Sequence, residues 1–336
     1  MRVAVFAYSR AGCAAARRVR EALSGECTSL YTLKKFGQPD FLTLERSAYG
    51  AEFAAADAMV FIGACGIAVR EIAPYVHDKR TDPAVVCIDE RAQFAVSLLS
   101  GHIGGGNALA RRLAAALGAQ AVVTTATDVN GRFAVDEWAA RHGCSISDMA
   151  LAKAFAAAII ERSVPLACAF AIRGELPPGV YSGHSGEIGA YIGYDTREPF
   201  EKTLRLVPRV LRLGIGCRRG TPREAIEAAV YAVFAENLLD LNAVSGVYSI
   251  DLKRDEQGLL EVCRAHGWPL GFYTAGELMA AQGDFTPSDF VRSVTGVDNV
   301  CERAAMLGSE KLIVRKTVRG GVTAAVALEH WEASFG

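Results

Sequence analysis

Of the six histidines in this 336-residue chain, His102 is the one in a glycine-rich setting: Leu99-Ser100-Gly101-His102-Ile103-Gly104-Gly105-Gly106-Asn107, with a helix expected directly afterwards. An imidazole changes charge near neutral pH, which makes His102 the first candidate for moving a proton. Three consecutive glycines let the backbone come close to a ligand, and a helix start adds partial positive charge for a carboxylate or phosphate. The plainer alternative is a histidine that hydrogen-bonds its own loop. The loop lacks the G-K-[ST] ending of a Walker motif and the G-x-G-x-x-G spacing of a dinucleotide site. The other five histidines, His77, His142, His184, His266 and His330, share no metal-ligand spacing and read as structural or exposed.

Three further segments could bind an anion. Gly63-Ala64-Cys65-Gly66 lies between an apolar run and a helix carrying Arg70; it is either a ligand loop or a tight turn with Cys65 as a small buried hydrophobe. His77-Asp78-Lys79-Arg80-Thr81-Asp82-Pro83 packs both signs of charge before an apolar run, which composition alone reads as a solvated connection. Gly214-Ile215-Gly216-Cys217-Arg218-Arg219-Gly220 places two guanidinium groups beside glycines at a helix entry, a good clamp for a carboxylate. Thr221 is expected to cap that helix, with Pro222 at its first position and Glu224 at its third. Thr124–Asp128 and the cationic Arg315–Arg319 are weaker candidates. No G-x-S-x-G or H-E-x-x-H motif occurs, so serine-hydrolase and zinc-protease readings lose their usual support.

The elements that must position these loops are legible as short apolar runs alternating with helical stretches. Val3–Tyr8, Ala58–Ile62, Ala84–Ile88 and Ala119–Val123 read as strands buried on both faces, and Ala14–Leu23, Ile67–Ala73 and Asn107–Leu117 as helices. That alternation predicts a doubly wound, parallel-type α/β sheet for residues 1–135. From 136 to 208 two Ala-rich helices precede short strands broken by prolines and glycines, a small middle α+β region. A smaller α/β domain is expected over 209–336, opening at Val210–Gly216 and including a second capping box at Thr274–Glu277.

Composition narrows the class. With 36 basic and 37 acidic side chains the net charge is −1, made of +1 over residues 1–208 and −2 over 209–336, and 51% of residues are hydrophobic. Neither a disordered chain nor a nucleic-acid-coating module has that balance. Nine cysteines stand singly with no C-x-x-C pair, against a disulfide framework or a structural zinc site, so no protein-bound metal is expected and a reducing cytoplasm fits. The first apolar run is too short for a signal peptide, and the uncharged stretch Ala92–Ala110 carries too many polar groups to cross a membrane.

In order along the chain, Gly66–Pro74, Asp78–Val85 and Leu98–Asn107 resemble the N-terminal domain of the cobalt-precorrin-5A hydrolases of anaerobic cobalamin biosynthesis. Gly214–Thr221 and Val322–Ala327 are similar to that family's C-terminal domain, with 136–208 matching its variable middle. The triple glycine departs mildly from the family's usual Gly-Gly-Ala loop. The resemblance implies a hydrolase acting on a carbon–carbon bond: it opens a lactone on a cobalt-bearing tetrapyrrole, then releases a two-carbon fragment as acetaldehyde. Such chemistry needs a base, donors for an oxyanion and contacts for peripheral carboxylates. His102 is then expected as the base and the Gly104, Gly105 and Gly106 amides as donors, with Gly63, Gly66, Arg70, Lys79, Arg80, Asn107, Cys217, Arg218 and Arg219 as further substrate contacts. No cofactor is implied, since the cobalt comes with the substrate. The partner implied is that small molecule, with no nucleic acid and no membrane; a homodimer and a transient handover with neighbouring pathway methyltransferases are compatible with it. The rivals are a non-catalytic corrinoid-binding or carrier protein and a nucleotide-binding α/β transferase.

Overall fold

The computed structural model describes residues 1–78, 81–102 and 104–335. The chain divides into two compact units, Met1–Ala140 and Arg141–Gly336, so Asp136 belongs to the first.

The first unit holds strands β1 (Arg2–Ala7), β2 (Cys27–Thr32), β3 (Leu42–Thr43), β4 (Ala58–Ile62), β5 (Ala84–Ile88), β6 (Phe94–Leu99) and β7 (Gln120–Val122) in the order β3-β2-β1-β4-β5-β6-β7. Its helices are α1 (Arg10–Ala22), α2 (Ser47–Ala55), α3 (Cys65–Ile72), α4 (Gly106–Leu117), α5 (Ala126–Val129) and α6 (Val135–Arg141). Val3–Ala7, Ala58–Ile62 and Ala84–Ile88 are buried without a break, as continuous apolar runs in a sheet covered on both faces must be. Alternate residues of these strands face opposite layers. Val3, Val5, Val60 and Val86 pack with Val19 of α1 and Leu113 of α4, while Phe6, Met59, Phe61 and Val85 pack with Phe53 of α2 and Ile72 of α3.

The expected parallel sheet holds for β1 to β5 and then reverses. β6 pairs antiparallel with β5, and β7 pairs parallel with β6. The turn is made by Asp89, whose carboxylate accepts from the amides of Arg91, Gln93 and Phe94. The unit β6–α4–β7 is therefore a parallel crossover turned end for end relative to β1–β5.

The second unit holds two main sheets. In residues 145–207, β8 (Ser145–Ile146), α7 (Met149–Glu161), β9 (Val164–Cys168), β10 (Ala171–Gly174), β11 (Val180–Ser182), β12 (Ile188–Ile192) and β13 (Lys202–Val207) follow in sequence, with sheet order β11-β9-β12-β13-β8. From 211 come β14 (Leu211–Gly216), α8 (Arg223–Glu236), β15 (Val244–Ile250), α9 (Gln257–His266), β16 (Leu270–Tyr273), α10 (Ala275–Ala280), α11 (Asp289–Thr295), α12 (Val300–Met306), β17 (Lys311–Arg319), β18 (Val322–Leu328) and β19 (Glu332–Phe335). Here the order is β16-β15-β14-β18-β17, and β19 returns to pair with β10. The capping box at Thr274 and Glu277 forms as predicted. At α8 the cap shifts by one residue: Pro222 is the N-cap, and the Thr221 hydroxyl donates to the Arg218 carbonyl at 2.7 Å instead.

Candidate functional site

The loop after β6 and the segment after β7 come together because both strands of one βαβ unit end on the same side, where such units place ligand loops. His102 and Asp128 meet there. His102 Nε2 lies 2.8 Å from Asp128 Oδ2, and Nδ1 lies 3.2 Å from Asp136 Oδ1, at the start of α6. The imidazole is only 16% exposed, so both carboxylates act on it with little screening. The Asp136 hydrogen bond is the largest influence on its pKa; burial opposes it, Asp128 adds to it, and the pKa rises to about 9. At neutral pH the ring is thus an imidazolium that donates from both nitrogens. A ring charged at rest can give a proton first and act as a base only after it has done so.

Asp128 is held in turn. Its Oδ2 accepts from Asn107 Nδ2 at 3.0 Å and from the Thr125 hydroxyl, and its Oδ1 pairs with Arg111. Burial pushes its carboxyl up, but the hydrogen bonds from Thr125, Arg111 and His102 outweigh that and bring it down to about 2. Asp136 is also below the usual carboxylate range, the His102 contact overcoming its burial. Asn107 is 2% exposed and donates to Thr125 Oγ1 as well as Asp128, so it fixes the cluster from behind rather than reaching outward.

The triple glycine has a structural cause. A Cβ on Gly104 would sit 2.4 Å from Ser100 Cβ, and Gly105 has φ of 79°, the left-handed region. The Gly105, Gly106 and Asn107 amides donate to the carbonyls of His102, Ser100 and Gly101 at 2.9, 3.0 and 2.8 Å. The oxyanion donors expected of Gly105 and Gly106 are therefore already committed to the loop, and both ring nitrogens of His102 are committed to Asp128 and Asp136. Ser100 Oγ donates to the Asp82 carbonyl at 2.9 Å, tying this loop to the segment before β5. Lys79 and Arg80, expected as substrate contacts in that segment, lie outside the described residues.

The structure does not bring Gly63, Gly66 and Arg70 to this place. Gly63 N donates to Ile88 O beyond the C-terminal ends of β4 and β5, whereas His102 follows Leu99, which pairs with Val85 near the opposite ends. A five-residue strand, roughly 16 Å, separates the two groups. Arg70 is exposed, its Nη1 3.4 Å from the Gly66 carbonyl. They cannot join His102 in one compact site.

One nitrogen or carboxylate atom from each of His102, Asp128 and Glu137 falls within 4.8 Å of the others, the spacing of a divalent-metal set. A cation there would have to displace the imidazolium proton and compete with Arg111 for Asp128.

In the second unit, Cys217, Arg218 and Arg219 lie beyond the C-terminal end of β14 on the wall of a cavity of about 600 Å³. The Gly220 amide donates to the buried Glu256 carboxylate at 2.6 Å, and Lys253, also on the wall, pairs with Glu256 at 3.0 Å, so one carboxylate fixes the loop and a cation together. Arg219 stands exposed, 3.7 Å from Asp255. Of the weaker 315–319 cluster, Lys316 reaches the cavity, while Arg315 pairs with Asp284 and Arg319 with Glu236. Sequence reasoning singled out the arginine loop and missed Lys253, which stands in a short helical turn with no motif around it.

The family description "Cobalamin synthesis G N-terminal" matches residues 47–128, and "Cobalamin synthesis G C-terminus" matches 211–327. The chain is 35% identical to the cobalt-precorrin-5A hydrolase of Salmonella typhimurium, over 98% of each protein. It is 35% identical to that of Priestia megaterium, over 80% of this chain and 78% of that protein. Protein CobE of Sinorhizobium sp is 34% identical over 35% of this chain and 79% of its own length. Among the described residues, no helix is long and apolar enough to cross a membrane.

Proposed function

We propose a division of labour from one premise: the chain belongs to the cobalt-precorrin-5A hydrolase family and acts on that substrate. In this reading the first unit supplies acid–base chemistry through His102, Asp128 and Asp136. The second recognises carboxylate arms of the macrocycle through Arg218 and Arg219. The observation that carries the reading is the His102 imidazole held between the Asp128 and Asp136 carboxylates in the loops beyond β6 and β7.

Lactone opening adds water to the carbonyl carbon, both of whose protons pass to solvent as the carboxylate forms, and breaks the ring C–O bond, whose departing oxygen needs a proton of its own. A histidine with a pKa of about 9 carries that proton at pH 7, and it supplies it as general acid when the departing oxygen takes the place of one carboxylate at a ring N–H. An aldehyde can leave only from a carbon whose hydroxyl has been freed, so opening precedes carbon–carbon cleavage. His102, now neutral, takes the hydroxyl proton; the C–O bond becomes C=O, the C–C bond breaks, and its electron pair stays on the macrocycle. His102 thereby returns to its resting protonation state. Asp136 and Asp128 stabilise the charged ring and hold its orientation, and Asn107 and Thr125 position Asp128. The bonds broken call for no nicotinamide or flavin, and cobalt belongs to the substrate.

A carrier that only binds corrinoids would use the arginine loop and leave His102 without a task. Trapping of aldehyde after incubation with cobalt-precorrin-5A separates the two: release by the wild type supports the hydrolase, and binding without release supports the carrier. Handover of product to a methyltransferase and self-association remain part of the proposal, readable by size-exclusion chromatography with and without substrate.

A further inference from the structure

Helix α11 touches the core only through Val291, which packs half-buried against the cluster of Ile250, Leu278, Val297 and Val300. None of its seven residues is buried. It is held locally, by the Ser288 hydroxyl accepting from the Val291 amide, by Gly296 in the left-handed region at its end, and by an Arg292–Asp298 ion pair. Yet it carries Phe290, which at 75% is the most exposed large apolar side chain among the described residues, and Val294 at 63%. Both line the cavity beside the arginine loop, as do Val318 and Leu252, themselves 64% and 52% exposed. Exposed apolar side chains gathered on one concavity mark a binding surface.

The charge around it limits the occupant. Arg218, Arg219, Lys253 and Lys316 are on the wall, Lys253 paired with Glu256 and Arg219 near Asp255 behind it, and no acidic side chain is among the described residues that line it. The complement is a molecule with an apolar body and anionic arms.

We propose that this cavity seats the apolar face of the macrocycle, that Phe290 stacks on it, and that the seat works independently of His102. The proposal rests on the reading above for its ligand. It adds binding residues on α11, β17 and the turn after β15, which the arginine motif does not predict. Binding here is set by the second unit's own side chains, so it persists when proton transfer is abolished.

The test is titration of the full chain with uroporphyrin III, a stable polycarboxylate tetrapyrrole, followed by the shift of its absorption band. Phe290→Ala is expected to raise Kd about fivefold or more, as loss of an aromatic stacking contact does. Phe290→Ala combined with Val294→Ala raises it further, Phe290→Trp restores wild-type affinity, and His102→Ala binds as wild type. Because Phe290 is exposed, these variants keep the wild-type Tm. Unchanged Kd in both alanine variants overturns the seat, as does a wild-type dimer that Phe290→Asp dissociates without changing probe affinity. Aldehyde release is read separately. Its absence from wild type with intact probe binding refutes the hydrolase reading alone, and an unchanged KM for cobalt-precorrin-5A in Phe290→Ala refutes the seat alone.

Discussion

His102 sits where two carboxylates converge on an imidazole that is mostly withdrawn from water. Its protonation at neutral pH follows from that contact. Asp136→Asn removes the largest upward influence, so the His102 pKa falls from about 9 toward its ordinary value near 6.5. Activity that needs the imidazolium is lost as pH rises through that pKa, so the alkaline limb of kcat moves down by about one unit or more. A kcat profile from pH 6 to 10 reads this directly, and a limb that stays in place excludes His102 as the proton donor. The histidine itself was legible in the sequence, because a titratable group among glycines is unusual. Its partners were not: Asp128 was visible only as the end of a Thr-rich segment after a strand. Asp136, 34 residues beyond His102, falls beside it only because α6 folds back within the first unit.

At the scale of elements, the decisive feature is the reversal at β6. By their apolar runs, 58–62, 84–88 and 119–123 read as strands of one parallel set, with no signal at Phe94–Leu99, which puts every loop at the same sheet end. The reversing turn has neither Gly nor Pro; Asp89 and the left-handed Ala92 make it, and the Asp89-Glu90-Arg91 cluster between two apolar runs was its only mark. With β6 inverted, the glycine loop stands at the start of a parallel crossover while the Gly63 loop goes to the other end. The loop's own tolerance is narrow. Gly104→Ala forces its new methyl to within 2.4 Å of Ser100 Cβ, and we expect a loss of about 1–3 kcal/mol on urea unfolding. Gly105→Ala, at φ of 79°, should lose about 1–2 kcal/mol. Wild-type stability in both would mean that the loop relaxes freely, and the fixed placement of His102 would then lose its basis.

For the whole molecule, near-zero net charge proved compatible with a polycarboxylate ligand because the cations are local. Arg218, Arg219, Lys253 and Lys316 share one cavity wall in the second unit. Recognition and chemistry then separate in the kinetics. Arg218→Ala with Arg219→Ala is expected to raise KM about tenfold and leave kcat within a factor of two, since it removes charge-assisted contacts made equally in ground and transition states. A fall in kcat with KM unchanged would contradict that assignment. The central claim is tested most directly by single-turnover trapping of acetaldehyde from cobalt-precorrin-5A with the wild type and His102→Ala. We predict one equivalent from the wild type and release at least about 100-fold slower from the variant, with substrate still bound. Release from His102→Ala at the wild-type rate would contradict it.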